Sequence, residues 1–416
     1  MQGQPTAEVV AQVKDIPIYR TSIEQGHFPV LDKPEIARGF PDNWMTPRLA
    51  AALRSGDAEY VLSTGTNHAR MQIIRPPYFL LHSYYRLWSE HPDIAVTWEQ
   101  GCQRVSLTTV LATEHVARVN ARKRGGQPDP LPGLADRRLD SRTVYVNLTL
   151  DPARWQRADV IRMLDEIEET RRTHPEGHYH LDCSSYHLAH LVLKTRQWGL
   201  WEEFPHPASI VHAYEYTPGN VRRFLHEHFT CPIIDLFGST ELGYLYYSDR
   251  QGRYHPYLDQ MSVELHPVAP GSQLFGLIVS SVRNPYMPLI RYRSGDCVRT
   301  ADGSPDPSRI TRFCGREKEL LTPGASAGSA EPIAQGDLDQ CISASAPGVF
   351  LHQLQVLDDR SAKLRFTTFD GLALDAPQAD ALATAVGELI GRRCQIAHGN
   401  HLPIGTSGKY AWLAKD

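Results

Sequence analysis

The sequence predicts an α/β protein: a large N-terminal domain with parallel-rich sheets and an attached β subdomain, followed by a small mobile α+β C-terminal domain. Three observations point there. Strand-like and helix-like segments alternate through the first three-quarters of the 416 residues, which is the pattern of βαβ units. From about residue 261 the texture changes to short β segments punctuated by Gly and Pro. A second break lies near 313–318. A chain of this length also exceeds the ~250–300 residues at which a single core stops growing, so the division is placed at 1–314 and 315–416.

The elements follow in order. KRGGQPDPLPGLADRRLD (123–140) is polar and rich in Gly and Pro, and reads as a surface loop. TVYVNLTL (143–150) reads as a buried strand, and DVIRMLDEIEETRR (159–172) has helical periodicity. HYHLD is a short strand, followed by a helix through SSYHLAHLVLKTRQWG. SIVHAYEY is a strand, NVRRFLHEHF a helix and PIIDLFG a strand again. SVELHPV, QLFGLIVSSV and LIRYRSGDCVR form a mainly antiparallel subdomain. TPGASAGSAEPIAQG is built of small residues and reads as a flexible loop. VFLHQLQVLD, SAKLRFTTF, a helix from Pro377 to Arg392 and CQIAH complete the α+β unit. Tyr84, Tyr85 and Trp88 read as core packing.

Composition narrows the function classes. The 43 basic and 47 acidic side chains leave a net charge of −4, which gives no reason to expect a nucleic acid or an anionic membrane as partner. No stretch approaches the ~18–20 apolar residues of a membrane span. MQGQPTAEVVAQVKD has neither a basic nor an apolar signal region. Seven cysteines are scattered without a CxxC pair, so a disulfide framework is not expected and a reducing cytoplasm fits.

Four segments carry chemistry. VLSTGTNHAR, Val61 to Arg70, is a hydroxyl- and glycine-rich turn after a strand; its backbone N–H groups and hydroxyls suit phosphate oxygens, and plain loop chemistry is the alternative. In IIDLFGSTELG a buried strand ends in an aromatic, a glycine, two hydroxyls and a carboxylate. There Phe237 suits a purine face, Thr240 a phosphate and Glu241 a Mg²⁺ ion. The alternative is a strand followed by a helix that Ser239 or Thr240 caps. In MPLIRYRSGDCVR, Asp296 in a tight turn can take both hydroxyls of a ribose, or Gly295 and Asp296 form the tip of a plain hairpin. In FCGREKELL and LPIGTSGKYAW, Arg316 follows a turn glycine and Lys409 sits in a Gly/Ser/Thr-rich tail loop. A lysine there can bring one positive charge to a reacting carboxylate and α-phosphate, unless it is only a solvated tail side chain.

Together these segments resemble the adenylate-forming superfamily of acyl-CoA synthetases, luciferases and adenylation domains, most closely its short phenylacetate–CoA ligase-like branch. STGTN, with Ser63, Thr64, Gly65 and Thr66, resembles the phosphate loop, and LFGSTE, with Phe237, Gly238, Ser239, Thr240 and Glu241, resembles the YGSTE motif. PLIRYRSGD is close to PLIRYRTGD, GREKELL resembles GRxKDxI, and GTSGK resembles the lysine loop. AYEYTP, with Glu215, stands where the branch has GGEP, and FPVLDKPEI resembles its opening. The resemblance runs from about residue 27 to 416.

The resemblance implies a two-step reaction: a carboxylic acid, small and aromatic in this branch, attacks the α-phosphate of Mg·ATP and releases pyrophosphate, and a thiol or amine acceptor then displaces AMP. It implies that Phe237 packs on adenine, Asp296 and Arg316 hold the ribose, Thr240 and Glu241 serve phosphates and Mg²⁺, and Lys409 is catalytic in the first step. Lys318 matches the hinge, and His187, Tyr214 and Gly243 match the substrate pocket. Two departures bear on the acceptor and the phosphates. NHARM replaces the family's Gly-x-Pro-Lys, which leaves Arg70 as the substitute cation. The stretch 322–336 replaces a tighter loop, so coenzyme A is expected to be an optional acceptor beside a carrier-protein thiol or an amine.

Rival readings remain. HPEGHYHLDCSSYHLAH brings His174, His178, His180, Cys183, His187 and His190 together, with Cys183, His187 and His190 expected on one helix face; that supports a zinc-dependent hydrolase. Others are a non-catalytic adenylate-binding subunit and a relative that activates nitrite.

Overall fold

The computed structural model describes residues 4–62 and 71–414. The chain divides into two compact units, Met1–Trp88 with Leu236–Lys318 and Ser89–Asp235 with Glu319–Asp416.

The second unit is built on a parallel sheet. Its strands run in the order Thr143–Tyr145, Gln103–Leu107, Tyr179–Cys183, Ser209–His212 and Ile233–Ser239, the last pairing here through Ile233, Ile234 and Asp235. Val105, Leu181, Ile210, Val211 and Ile234 have no exposed surface, as expected of strands covered on both faces. The helix Arg157–Arg172 buries Val160, Met163, Leu164 and Ile167 on one stripe, and Gly219–His228 buries Val221, Phe224 and Leu225. That 3.6-residue repeat is what made them readable in the sequence. TVYVNLTL is strand only over its first three residues. Asn147 Nδ2 donates to the Thr108 carbonyl (2.7 Å) and Asn147 Oδ1 accepts from the Trp155 indole (3.2 Å). The asparagine thus bonds backbone and side chain outside the ladder, and the strand ends before it.

The stretch 123–140 is more than a surface loop. It contains a short 3₁₀ turn, Leu134–Arg137, whose Arg137 is buried and donates to the Tyr145 carbonyl and to Glu166.

Within the same unit the C-terminal segment forms its own sheet. Val349–Val356 and Ser361–Thr368 are antiparallel, and Arg393–His398 lies parallel to the second. The helices Gln335–Ser345 and Ala376–Ile390 cover it around Leu338, Ile342, Leu354, Leu364, Leu382 and Val386. Side-chain contacts join this layer to the parallel-sheet body. Asn220 Nδ2 donates to the carbonyls of Ala346 (3.1 Å) and Val349 (2.8 Å). Asp339 Oδ2 accepts from the Tyr216 hydroxyl and the Gly219 amide, each at 2.9 Å. Phe224 stacks on Phe369 at 4.5 Å, and Phe350 and Leu351 complete the body's own core. The small-residue stretch 322–336 has little regular structure but is tethered. Gly324 N donates to the Ile390 carbonyl (2.8 Å) and Ser326 Oγ to that of Gly391 (2.9 Å).

The first unit holds an antiparallel sheet of Met261–Pro267, Leu274–Ser281, Leu289–Thr300 and Ile310–Arg316 in sequential order. The later residues of Ile233–Ser239 pair antiparallel with Gly243–Ser248, and that strand with Tyr254–Pro256. Trp44, Ile73, Ile74, Leu242, Leu277, Val279 and Tyr292 form the core. Tyr19 seals it, donating to the Pro288 carbonyl (2.8 Å) and accepting from the Ile290 amide (3.0 Å). Tyr84 and Trp88 are buried, as core residues should be, whereas Tyr85 is only half-buried. Among the described residues no helix is long and apolar enough to cross a membrane.

Candidate functional site

In the first unit the candidates lie on the hairpin that carries LFGSTELG and on the strand Leu289–Thr300, which Tyr292 links to Glu241. LFGSTELG forms a hairpin, with Ser239 opposite Gly243 and Gly238 opposite Tyr244; no helix follows the strand, so neither Ser239 nor Thr240 is a cap. Glycine is required at 238, because a Cβ would stand 2.2 Å from the Gly243 carbonyl oxygen. Gly243 itself has φ +76°, a conformation only glycine adopts without strain. Thr240 and Glu241, in the connection, are buried. Glu241 Oε1 accepts from the Tyr292 hydroxyl (2.8 Å) and lies 3.6 Å from Lys33 Nζ. Burial and Glu241 together hold the Tyr292 hydroxyl far above its ordinary pKa. Ser239 Oγ is buried with no hydrogen-bond partner among the described residues. The Phe237 ring stacks on Phe313 at 3.8 Å and 18°, so one of its faces is taken.

Asp296 is neither in a tight turn nor at a hairpin tip. It lies inside the strand Leu289–Thr300, opposite Arg316. The misreading has a local cause. Gly276 pairs with Cys297 but Ile278 pairs with Arg293, so the strand bulges at Ser294, Gly295 and Asp296, with Gly295 at φ +78°. Arg316 Nη1 makes an ion pair with Asp296 Oδ1. Asp296 is the main reason the guanidinium pKa is raised, against the burial that lowers it.

In the second unit the candidates sit at the carboxyl ends of the parallel strands. Ser209–His212 runs into Tyr214, an aromatic at φ +80°. Such backbone persists only where its surroundings fix it, and here they do. The Tyr214 hydroxyl donates to Asp182 Oδ2 (2.7 Å), which also binds Arg104 and Ser106. The Tyr214 carbonyl accepts from Lys409 Nζ. Glu215 next door accepts from Ser184 Oγ. Burial lifts the Glu215 carboxyl to about 7, with Ser184, Lys409 and the Tyr186 amide pulling the other way. His187 is 1% exposed, and burial lowers its pKa to about 4.

The histidine-rich run does not assemble. Cys183 ends the strand Tyr179–Cys183, not the helix Ser185–Gln197, so it shares no helix face with His187 and His190. His180 Nδ1 meets Ser209 Oγ (2.6 Å), His190 Nε2 meets the Tyr410 hydroxyl (3.2 Å), and His174 Nε2 meets the Gln100 carbonyl (2.9 Å). Among the described residues no three His, Cys, Asp or Glu side chains form a metal cluster. Ser63, Thr64, Gly65, Thr66 and Arg70 lie outside the described residues. Lys318 falls in the short 3₁₀ turn Glu317–Glu319, where the chain passes from one unit to the other.

Sequence reasoning did not single out Tyr292, nor Lys33 as a partner of Glu241. It also passed over Arg104 and Asp182. Lys33 lies within FPVLDKPEI, the segment that resembles the family's opening, and that was the one available signal.

Glu241 has the chemistry of a Mg²⁺ ligand. Mg²⁺ is usually bound through one or two carboxylates, with substrate phosphates and water completing the shell. A single buried carboxylate, oriented through Oε1 by Tyr292, fits that role.

No family model matches the chain, and no curated protein matches it. Solved structures do. A 2-hydroxyisobutyryl-CoA ligase in a postadenylation state, in complex with R3-HIB-AMP, superposes over 100% of this chain and 91% of its own, with a TM-score of 0.64 at 14% identity. An open form of that ligase, holding 2-HIB-AMP and CoA, covers 98% and 89% with a TM-score of 0.53 at 14% identity. ATP-bound MatB from Rhodopseudomonas palustris covers 84% and 65%, with a TM-score of 0.52 at 13% identity. Likeness at such identities speaks to architecture, and the architecture is clear: this chain has the fold of the adenylate-forming CoA ligases.

Proposed function

We propose that this protein uses ATP to activate a carboxylic acid as its acyl-adenylate and passes the acyl group to a thiol or amine. The observation that supports this most is the contact of Lys409 Nζ with the carbonyl of strained Tyr214, beside Glu215. A tail lysine is thereby held at the carboxyl ends of parallel strands, the edge where open α/β sheets bind ligands.

In the first step a carboxylate oxygen attacks the α-phosphorus and pyrophosphate leaves. Lys409 offsets the charge that develops there. Asp296 accepts hydrogen bonds from the ribose, with Arg316 holding the Asp296 carboxylate in place. Phe237 contributes a ring face to adenine, while Gly238, Ser239 and Thr240 present donors to phosphate oxygens. Ser63, Thr64, Gly65 and Thr66 take the remaining phosphate oxygens, with Arg70 as their cation. Glu241 holds Mg²⁺, which neutralises phosphate charge when bound. In the second step the acceptor attacks the acyl carbon, loses its proton and displaces AMP. Coenzyme A, a carrier-protein thiol or an amine serves as acceptor. Lys318 acts as the hinge by which the small domain 315–416 moves between the steps. Tyr214, His187 and Gly243 border the acid.

Pyrophosphate release across a panel of aromatic and aliphatic acids tests this directly. Lys409→Ala should lower the rate of adenylate formation by ~10²–10³, while preformed adenylate is still consumed. An equal loss in both half-reactions makes Lys409 structural and removes the main support.

A further inference from the structure

Several hydrogen-bonding atoms at the carboxyl ends of the strands Gln103–Leu107 and Tyr179–Cys183 are buried and meet no partner among the described residues. They include Thr108 Oγ1, Thr109 Oγ1, Ser185 Oγ and both ring nitrogens of His187; Asp182 Oδ1 is likewise unpartnered, but that carboxylate is already paired with Arg104 through Oδ2. Thr108, Ser185 and His187 are each 1% exposed. Local geometry keeps these groups together. The Ser184 amide donates to the Leu107 carbonyl at 3.2 Å, which ties the two strand ends side by side. Asn147 bonds the Thr108 carbonyl and the Trp155 indole, and the Trp155 ring centre stands 6.0 Å from that of His187. The lysine loop closes on the same place: a Cβ on Gly408 would stand 2.1 Å from Thr109 Oγ1.

A buried polar atom left unpaired is costly, and several in one place are rare in a native protein. Among the neighbouring histidines, His180, His190 and His174 have hydrogen-bond partners, whereas His212 shares with His187 two ring nitrogens without a hydrogen-bond partner among the described residues. His187 is moreover uncharged near neutrality, burial having lowered its pKa to about 4, so its ring offers one donor and one acceptor. The other groups are hydroxyls, which both donate and accept. A surface of this kind suits an uncharged polar group, whereas a charged group would find no opposite charge among these atoms.

We infer that Thr109, Ser185 and His187 recognise the organic part of the acid, and that this acid carries an uncharged hydrogen-bonding substituent, a hydroxyl or a carboxamide, in place of an all-hydrocarbon skeleton. The inference rests on the adenylation reading and narrows its substrate class.

The test compares pairs of acids that share a skeleton and differ by one hydroxyl or carboxamide, with pyrophosphate release as readout. The wild-type protein should favour the substituted member of the best pair in kcat/KM by roughly tenfold to a hundredfold, the effect of pairing or leaving unpaired one or two buried polar groups. His187→Leu and the nearly isosteric Thr109→Val should each narrow that ratio, mainly through KM. Preference for the hydrocarbon member overturns the inference and leaves adenylation standing, as does a ratio that neither variant changes. No pyrophosphate from any acid overturns adenylation, and this inference with it.

Discussion

Glu215 shows how much one side chain's surroundings decide. It follows the strained Tyr214, accepts from Ser184 and lies beside Lys409, yet burial outweighs these stabilising neighbours and lifts its carboxyl from 4.5 to about 7. The folded protein therefore binds more protons at Glu215 than the unfolded chain does between those two values. The contribution of this group to stability is fully present below 4.5 and is lost as pH rises through about 7. Glu215→Gln removes the titration. Urea midpoints measured against pH should fall less steeply for Glu215→Gln than for wild type across that window. Parallel curves would mean the carboxyl ionises as readily in the folded protein as in the unfolded one. His187 has the opposite sign, since burial lowers its pKa, so its share of stability is present above its ordinary range and is lost as pH falls toward 4. The two groups are thus separable by the window in which each acts.

At the scale of elements, the hairpin Ile233–Ser239 with Gly243–Ser248 carries Thr240 and Glu241, and it depends on one missing side chain. A Cβ at Gly238 would stand 2.2 Å from a backbone carbonyl and 2.8 Å from Tyr244 Cα, neither of which can swing aside as a side chain would. Gly238→Ala should cost about 1–3 kcal/mol, the range for overpacking, read as a lower urea midpoint. An unchanged midpoint would show that the strands separate freely there. Most of the parallel strands and their helices were legible because burial on both faces writes continuous apolar runs, and amphipathic helices repeat every three to four residues; the strand Gln103–Leu107 and the helix Val110–Lys123 after it went unread. The bulge at Ser294–Gly295–Asp296 was not, because it is defined by how Leu274–Ser281 pairs with the strand, and pairing register does not appear in a local pattern. Glu241 was legible as a carboxylate after a strand. Its neighbours Lys33 and Tyr292 were not, because they arrive from distant segments. For the same reason spacing alone put Cys183 with His187, where the strand end intervenes.

For the whole molecule, the candidate residues divide between the two units. Phe237, Thr240, Glu241, Asp296 and Arg316 belong to one, and Tyr214, Glu215, His187 and Lys409 to the other. The adenylation reading assigns nucleotide handling largely to the first set, and the catalytic lysine and the acid to the second. It asks one thing of the molecule above all, that the acid's own oxygen becomes bonded to the α-phosphorus. The test is to supply the preferred acid with a heavy-oxygen-labelled carboxylate, together with ATP, Mg²⁺ and an acceptor, and to weigh the AMP released. The account predicts that AMP carries one labelled oxygen and that pyrophosphate carries none. AMP without label, or label in phosphate or pyrophosphate, would contradict it.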